Sequence, residues 1–544
     1  MIKAKDPGKA KDQAKVRKVC NLILPLQDLH KDYLKDESRI CGKAESISFP
    51  ENETQVQTIV KLLLKQKTPI TVQGSRTGIT GGAVPMGGHI LNLSKMIKVT
   101  GLERDPNGQF SIRVQPGICL SELNEQIVNG RFNGEGWDKK TLKDLEAFKK
   151  EGKLFWPPDP SEGLASIGGI AANNSRGICS FFYGPARLHI KSIRVVDTHG
   201  EIVSIRRGQY NFSQGACPIP GGRAIELDPA LFQGQSSDHF TEPYDLMDLY
   251  LGSEGMFGVI TELNLSLLPL PKERWGIVFF FEHQSCALDF IFGIKPRQKR
   301  QTMESDTATN IAAIEFLDKT TLDCIQDYKQ VNTRVKQLPD IDKIFTAAVY
   351  VEIHGNHTKS VEALSEMLLE TAVQCGGDPD NTWAFCGEIE IERPHIFLHA
   401  AAECVNWLID KARLKDSRII KLGTDMRLEN VSLSEGLEMV QQDLQTHGLK
   451  AAIFGHAACG DLHINILPQN YQEFKKGRAL IKEWTKKIDT QKASIVTAHG
   501  VGKINKDLFA SIPLPKALKV IGSVKQQLDP YGLWNPDNML DSCK

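Results

Sequence analysis

Residues Pro69 to Asn92 read PITVQGSRTGITGGAVPMGGHILN. Ile70 and Val72 open the stretch as a strand, and a second short apolar strand, Ile90 to Leu93, closes it. Between them stand Gly74, Gly78, Gly81 and Gly82. Glycines at that density let backbone N–H groups converge on a phosphate, because no Cβ keeps the ligand away. Thr77 and Thr80 add hydroxyl donors. The loop fits neither of the two commonest phosphate motifs. It has no G-x-G-x-x-G and no Gly-Lys-Ser/Thr, and it runs into a strand where both of those run into a helix. Taken alone, it reads equally as a glycine-rich hairpin with no ligand.

The rest of the chain supplies the context. Its 544 residues are enough for two or three domains. Apolar residues make up 41% and charged residues 24%, the balance of a globular protein. Lys+Arg and Asp+Glu are both 66, so no global field draws in nucleic acid or an anionic membrane. No apolar run reaches the ~18 residues that span a bilayer. The N-terminus, MIKAKDPGKAKDQAKVRK, is basic with no apolar region behind it. It reads as a solvated tail and not a secretory signal, so sequons such as Asn430-Val-Ser432 carry little meaning. The 12 cysteines include no C-x-x-C pair. That argues against structural zinc and ferredoxin-type clusters within this chain, and for reduced core thiols in a cytoplasmic protein.

In chain order, Val56 to Gln66 is an amphipathic helix with Val56, Ile59, Val60 and Leu63 on one face and Asn52 as its cap. Ser111 to Gln115 alternates as a strand, Leu120 to Val128 is a short helix, and Asp138 to Lys153 is a charged surface helix or insertion. The next informative stretch, Trp156 to Gly184, reads WPPDPSEGLASIGGIAANNSRGICSFFYG. Its prolines fix an extended entry, and Ile167 to Asn174 is small and flat enough to lie against a planar or extended ligand. Ile193 to Asp197 and Glu201 to Ile205 form a hairpin across His199-Gly200. Tyr244 to Pro269 begins helix-like, passes Gly252-Ser-Glu-Gly255 and becomes a long alternating strand from Val259 to Leu267.

Together these stretches resemble the FAD-binding domain of the vanillyl-alcohol oxidase/PCMH superfamily, in its D-lactate dehydrogenase and glycolate oxidase branch. The motifs are Thr77-Gly78, Asp159-Pro160-Ser161, Ile167-Gly168-Gly169, Tyr183-Gly184, Gly252-Ser-Glu-Gly255 and Gly258-Val-Ile-Thr261, all in family order. Arg76 departs from the pattern, standing where the family usually has glycine. The resemblance implies that Gly74, Ser75, Arg76, Thr77, Gly78, Ile79, Thr80 and Gly81 wrap the FAD pyrophosphate. It sets Pro158, Asp159, Ser166, Gly168, Gly169, Asn173, Asn174, Gly177 and Tyr183 along the cofactor, followed by Glu254, Gly255 and Ile260. The C-terminal Leu528-Asp-Pro-Tyr-Gly-Leu-Trp-Asn-Pro536 matches the family ending and lays Asn535 back against the flavin. No histidine stands in the 74–82 loop, so FAD is expected to be noncovalent.

From about residue 270 the character changes. Trp275 to Glu282 and Ala347 to Ile353 read as buried strands, and Val361 to Cys375 as an amphipathic helix between strands. This is an α+β pattern of antiparallel strands with covering helices, which the resemblance makes the substrate cap. It carries Phe454-Gly-His-Ala-Ala-Cys-Gly-Asp-Leu-His-Ile-Asn465. His463 and Asn465 share one strand face, and Gly460 lets the preceding loop turn His456 to the same side. Such histidines hold a divalent metal or a substrate carboxylate. Relatives complete the metal site with the Glu of an E-H-G motif, where this chain has Ala498 before His499. His456 and His463 with one nearby acid make a weaker metal site, and Cys459 or Asp461 would have to substitute. By resemblance His499 is the base, and Lys421, ahead of Asp425-Met-Arg427, binds the substrate carboxylate. The family W-x-x-R is not met at Trp407, where Asp410 follows.

The expected fold is therefore α+β: a PCMH-type FAD-binding domain of two subdomains plus an α+β cap with an antiparallel sheet. Residues 1–44 form an N-terminal extension, 45–269 the FAD domain, 270–500 the cap, and 501–544 a segment returning to the FAD domain. The implied activity is FAD-dependent oxidation of a D-2-hydroxy acid of the D-lactate or glycolate type, by hydride transfer to flavin N5. Two readings stay open beside it: a flavoenzyme for another alcohol or an ether-lipid-type substrate, and a non-catalytic FAD-binding subunit of an electron-transfer complex. The partners expected are a small hydroxy acid, a homo-oligomer or complex, and an electron acceptor: a quinone, flavoprotein, cytochrome or iron–sulfur partner, or oxygen. The expected location is cytoplasmic, with peripheral contact at the inner face of a membrane left open.

Overall fold

The computed structural model describes residues 22–212, 215–226, 245–295, 308–387, 390–427, 432–490, 494–495, 499–511 and 515–541. The basic N-terminus, Tyr244, Asn430 of the sequon and Ala498 lie outside the described residues. The chain divides into two compact units. One comprises Met1–Ser175, Ala186–Leu268 and His499–Lys544; the other comprises Arg176–Pro185 and Pro269–Ala498. Among the described residues no helix is long and apolar enough to cross a membrane.

The first unit holds two sheets. The smaller has the order Leu24–Pro25, Ser46–Ser48, His89–Asn92, Ile70–Gln73. The two strands flanking the glycine loop are parallel neighbours, Ile70 opposite His89, and so do not form a hairpin. The whole segment from Gly74 to Gly88 is the crossover that a parallel pair requires. The helix Glu53–Lys65 covers this sheet with Val56, Ile59, Val60 and Leu63, and the Asn52 side chain accepts from Gln55 N at its start. The larger sheet is antiparallel, ordered Val99–Arg104, Phe110–Val114, Gly258–Ser266, Ile190–Asp197, Ile202–Arg206. Its inward residues, among them Ile112, Val114, Ile193, Val195, Leu263 and Leu265, pack against the helix Leu120–Asn129 in one cluster. The charged segment after Asp138 is the helix Lys139–Phe148, which buries Leu145 and Phe148. Ile167–Asn173 is a helix and not a flat wall. Ser166 accepts from Gly169 N, and that cap, with apolar Ile167, Ile170 and Ala171 turned inward, favours the helical turn over an extended run.

The second unit is built on one eight-stranded antiparallel sheet. Its order is Trp383–Cys386, Glu273–Phe281, Ala347–Gly355, Thr309–Asp318, Ala451–Gly455, Asp461–Ile466, Leu422–Arg427, Ser494–Ile495. All nine residues of Ala347–Gly355 are buried, because helices such as Gln284–Ile294 and Thr358–Gln374 pack on the sheet. Val349, Val351 and Ile353 supply one face of that strand; Tyr350, Glu352 and His354 supply the other. Mixed helix and antiparallel sheet in both units is the fold class expected from the sequence.

Candidate functional site

The loop after Gln73 is held from beneath by packing that leaves no room for side chains. A Cβ on Gly74 would lie 2.1 Å from Ser166 Oγ, and one on Gly168 would lie 2.5 Å from Pro116 Cβ. Gly168 N also donates to Pro116 O at 2.8 Å. Along the upper side, a Cβ on Gly78 would meet nothing within 4 Å. Among the described residues, the N–H groups of Thr77, Gly78 and Ile79 meet no intramolecular acceptor. A row of backbone donors without an intramolecular acceptor, beside the hydroxyls of Ser75 and Thr77, is a donor set suited to a pyrophosphate. Arg76 takes a positive φ of 63° and stacks its guanidinium over the Tyr33 ring, 4.3 Å from the centroid. Its charge therefore stays at the loop that relatives make with glycine.

The returning segment closes the same unit. Asn535 accepts from Val72 N at 2.7 Å and donates its amide to Glu254 O. Its side chain thus ties the strand before the loop to the Gly252–Gly255 turn. The Glu254 carboxylate accepts from Val501 N at 2.6 Å and Gly502 N at 2.9 Å. Burial pushes its pKa up, against the pull of those N–H donors. Lys503 donates to Gly81 O at 3.2 Å, and burial brings its pKa down to about 8. Asn173 and Asn174 end the capped helix, Asn174 in the left-handed region at φ 50°. Pro158 and Ile260 are buried and Asp159 is half-buried. Gly177 and Tyr183, expected along the cofactor, belong to the second unit. His499 is exposed and opens the first unit's returning segment.

On the second unit's sheet, the structure brings His456 and His463 together, ring centroids 5.4 Å apart and nearly perpendicular. The loop between them turns at Gly460, φ 72°. Each imidazole faces a carboxylate at Nδ1: Glu315 for His456 and Asp425 for His463, both at 2.7 Å. Asp425 stands directly opposite His463 in the ladder. Of the two substitute ligands, Asp461 is fully buried with the Arg176 guanidinium 3.9 Å away, and Cys459 is half-buried. Lys421 is half-buried and continues the alternation of Gly423 and Asp425.

The polar row extends where sequence reasoning missed it. Glu315 pairs across the ladder with Tyr350. Glu352 accepts from the Tyr350 hydroxyl at 2.7 Å and faces His354 Nε2 at 2.8 Å and His395 Nε2 at 3.0 Å. Burial alone would raise the Glu352 carboxyl, but His395 and the two imidazole hydrogen bonds hold it well below the usual range. Burial, with Glu352 alongside, keeps the Tyr350 hydroxyl protonated. The signal was present in AAVYVEIHG: three polar residues at period two within an otherwise apolar strand. A wholly buried strand hides it, because the run reads as core.

A parallel strand pair with a glycine cradle, an antiparallel five-stranded sheet and a second unit on an antiparallel sheet define a PCMH-type flavoprotein with a substrate domain. "FAD binding domain" matches residues 44–137 and 140–206, and "FAD linked oxidases, C-terminal domain" matches residues 300–539. The chain belongs to the FAD-linked oxidases of the vanillyl-alcohol oxidase/PCMH superfamily. It is 25% identical over 535 residues to a D-lactate dehydrogenase of Anaerostipes hadrus, covering 94% of each chain. It is 24% identical to the glycolate oxidase subunit GlcD of Bacillus subtilis, covering 91% of this chain and 88% of that one. The structure of p-cresol methylhydroxylase with substrate bound superposes with a TM-score of 0.65 at 15% identity, over 98% of both chains.

Proposed function

We propose that the protein oxidises a D-2-hydroxy acid of the lactate or glycolate type to its 2-oxo acid. The observation that carries this reading is the pair of carboxylate-backed imidazoles, His456 with Glu315 and His463 with Asp425. FAD, when bound noncovalently at the Gly74–Gly81 loop, supplies the acceptor for the hydride that leaves the substrate carbon. The remaining work falls to the chain. A carboxylate at Nδ1 holds the proton there, leaves the lone pair at Nε2 and raises its basicity. An imidazole so oriented takes the hydroxyl proton as the hydride departs. Of the two imidazoles so oriented, His463 is taken as the acceptor; His499, the base by resemblance, is the alternative. Lys421 offers the cation for the substrate carboxylate. A divalent metal on His456 and His463 would occupy their Nε2 lone pairs and polarise the hydroxyl oxygen, in which case the proton passes not to them but to His499, the base by resemblance.

The test is an anaerobic titration of the purified flavoprotein with D-lactate, glycolate, D-2-hydroxyglutarate and L-lactate, with and without zinc or manganese. Bleaching of the flavin band by a D-acid and not by L-lactate is expected. A yellow protein that none of the acids reduces would overturn the reading and favour a non-catalytic flavin subunit. Failure to retain FAD would remove its basis.

A further inference from the structure

The second unit carries a cluster that hydroxy-acid oxidation does not use. The Sγ of Cys179, a carboxylate oxygen of Glu352 and a ring nitrogen of His354 all lie within 4.8 Å of one another. All three residues are buried, at 4%, 1% and 3% exposure. We propose that Cys179, Glu352 and His354 form a binding site for a borderline-soft divalent cation of the zinc class, with His395 as the fourth donor.

The donor chemistry fits that cation. Thiolate, carboxylate and imidazole are the three ligand types zinc takes. A thiolate and a carboxylate together balance the two positive charges, and the imidazoles add none. Tetrahedral zinc with bonds of about 2.0–2.3 Å sets its ligands roughly 3.4–3.8 Å apart, so the cluster needs only a small contraction around the ion. The imidazole of His395 already reaches Glu352 at 3.0 Å.

The supporting groups are in place as well. The Tyr183 hydroxyl lies 2.8 Å from His354 Nδ1 and fixes the ring, with Nε2 turned to Glu352. The Tyr350 hydroxyl holds the Glu352 carboxylate. Outer partners of this kind orient metal ligands. The Nε2 to carboxylate contact of 2.8 Å is the one the cation would replace, sitting between the two groups. Binding displaces the Cys179 thiol proton, while the one proton of the neutral His354 ring moves from Nε2 to Nδ1, where the Tyr183 oxygen accepts it, so uptake releases a proton from the thiol. The absence of a C-x-x-C pair does not argue against this site, because its ligands come from a short segment and a strand far apart in sequence. The proposal stands independently of the hydroxy-acid reading and of any metal on His456 and His463.

The experiment uses the full-length holoprotein, stripped with chelator and reloaded with zinc or cobalt(II). In wild type, zinc-edge X-ray absorption is expected to show one sulfur neighbour at about 2.3 Å beside nitrogen and oxygen. Cobalt is expected to give tetrahedral d–d bands to the red of the flavin absorption. Cys179→Ser and Glu352→Gln should each weaken this uptake at least tenfold with flavin content unchanged. The double variant His456→Asn/His463→Asn should keep the sulfur-ligated equivalent. A wild-type protein that takes up no metal, or a zinc shell with nitrogen and oxygen only, overturns the proposal without recourse to a variant. Uptake that survives Cys179→Ser and disappears in the double variant overturns it as well.

Discussion

His463 stands in a six-residue strand that is buried throughout, where an unpartnered imidazole would cost stability. Asp425 on the neighbouring strand removes that cost and orients the ring. His463→Asn is therefore expected to lower the rate of flavin reduction by about 10²- to 10⁴-fold with FAD retained. Asp425→Asn should lower it by about 10- to 100-fold. Stopped-flow reduction by the preferred acid measures both, and wild-type rates in His463→Asn would exclude its role as proton acceptor. The glycines of the cradle separate in the same manner. Gly74→Ala forces a contact of 2.1 Å with Ser166 Oγ, so it should lower the melting temperature of the apoprotein and abolish FAD retention. Gly78→Ala points into open space and should leave the apoprotein melting temperature unchanged while weakening FAD binding. FAD affinity unaltered in Gly78→Ala would mean that the loop does not hold the pyrophosphate.

Among the elements, the small four-stranded sheet has its own pH dependence. His89 lies fully buried in the strand His89–Asn92, between the hydroxyls of Ser46 at 2.9 Å and Ser48 at 2.8 Å. Burial lowers its pKa from 6.5 to about 4. The folded state keeps the ring neutral while the unfolded chain binds a proton below pH 6.5. Its contribution is thus complete above the unfolded value and is lost as pH falls through the folded one, a swing of about 3 kcal/mol. Thermal melts from pH 7 to 4 should show this loss, and His89→Gln should flatten the slope; an identical slope would assign it to other groups. The helix Ile167–Asn173 makes a related point about legibility. Its Ile-Gly-Gly-Ile-Ala-Ala run has poor helix propensity at the glycines. The Ser166 cap and the close approach to Pro116 override propensity, and neither shows in a local pattern.

For the molecule as a whole, the last segment belongs to the first unit although the entire second unit intervenes in sequence. Trp534 is fully buried, Ile70 N donates to Leu533 O at 2.7 Å, and Asn535 N donates to Ile70 O at 2.8 Å. The chain end thereby acts as one more parallel neighbour of the strand leading into the glycine loop. Trp534→Ala should cost about 3–5 kcal/mol, seen as a lower midpoint in chemical denaturation together with weaker FAD retention. A variant that kept FAD and lost less than about 1 kcal/mol would show that the segment does not stabilise the loop.

Local chemistry made much of this protein readable in one dimension. Glycine density, proline punctuation and the spacing of His456 and His463 depend on neighbours in sequence, so the loop, the long strands, the α+β class and the histidine pair could be derived from residues alone. Nothing local indicated that the strands flanking the loop are parallel, that Ile167–Asn173 is helical, or that Glu315, Asp425 and Glu352 back the imidazoles. Those features rest on ladder register and on caps and contacts between residues far apart in the chain. A carboxylate in a buried strand acquires its partner only when the sheet sets two such strands side by side.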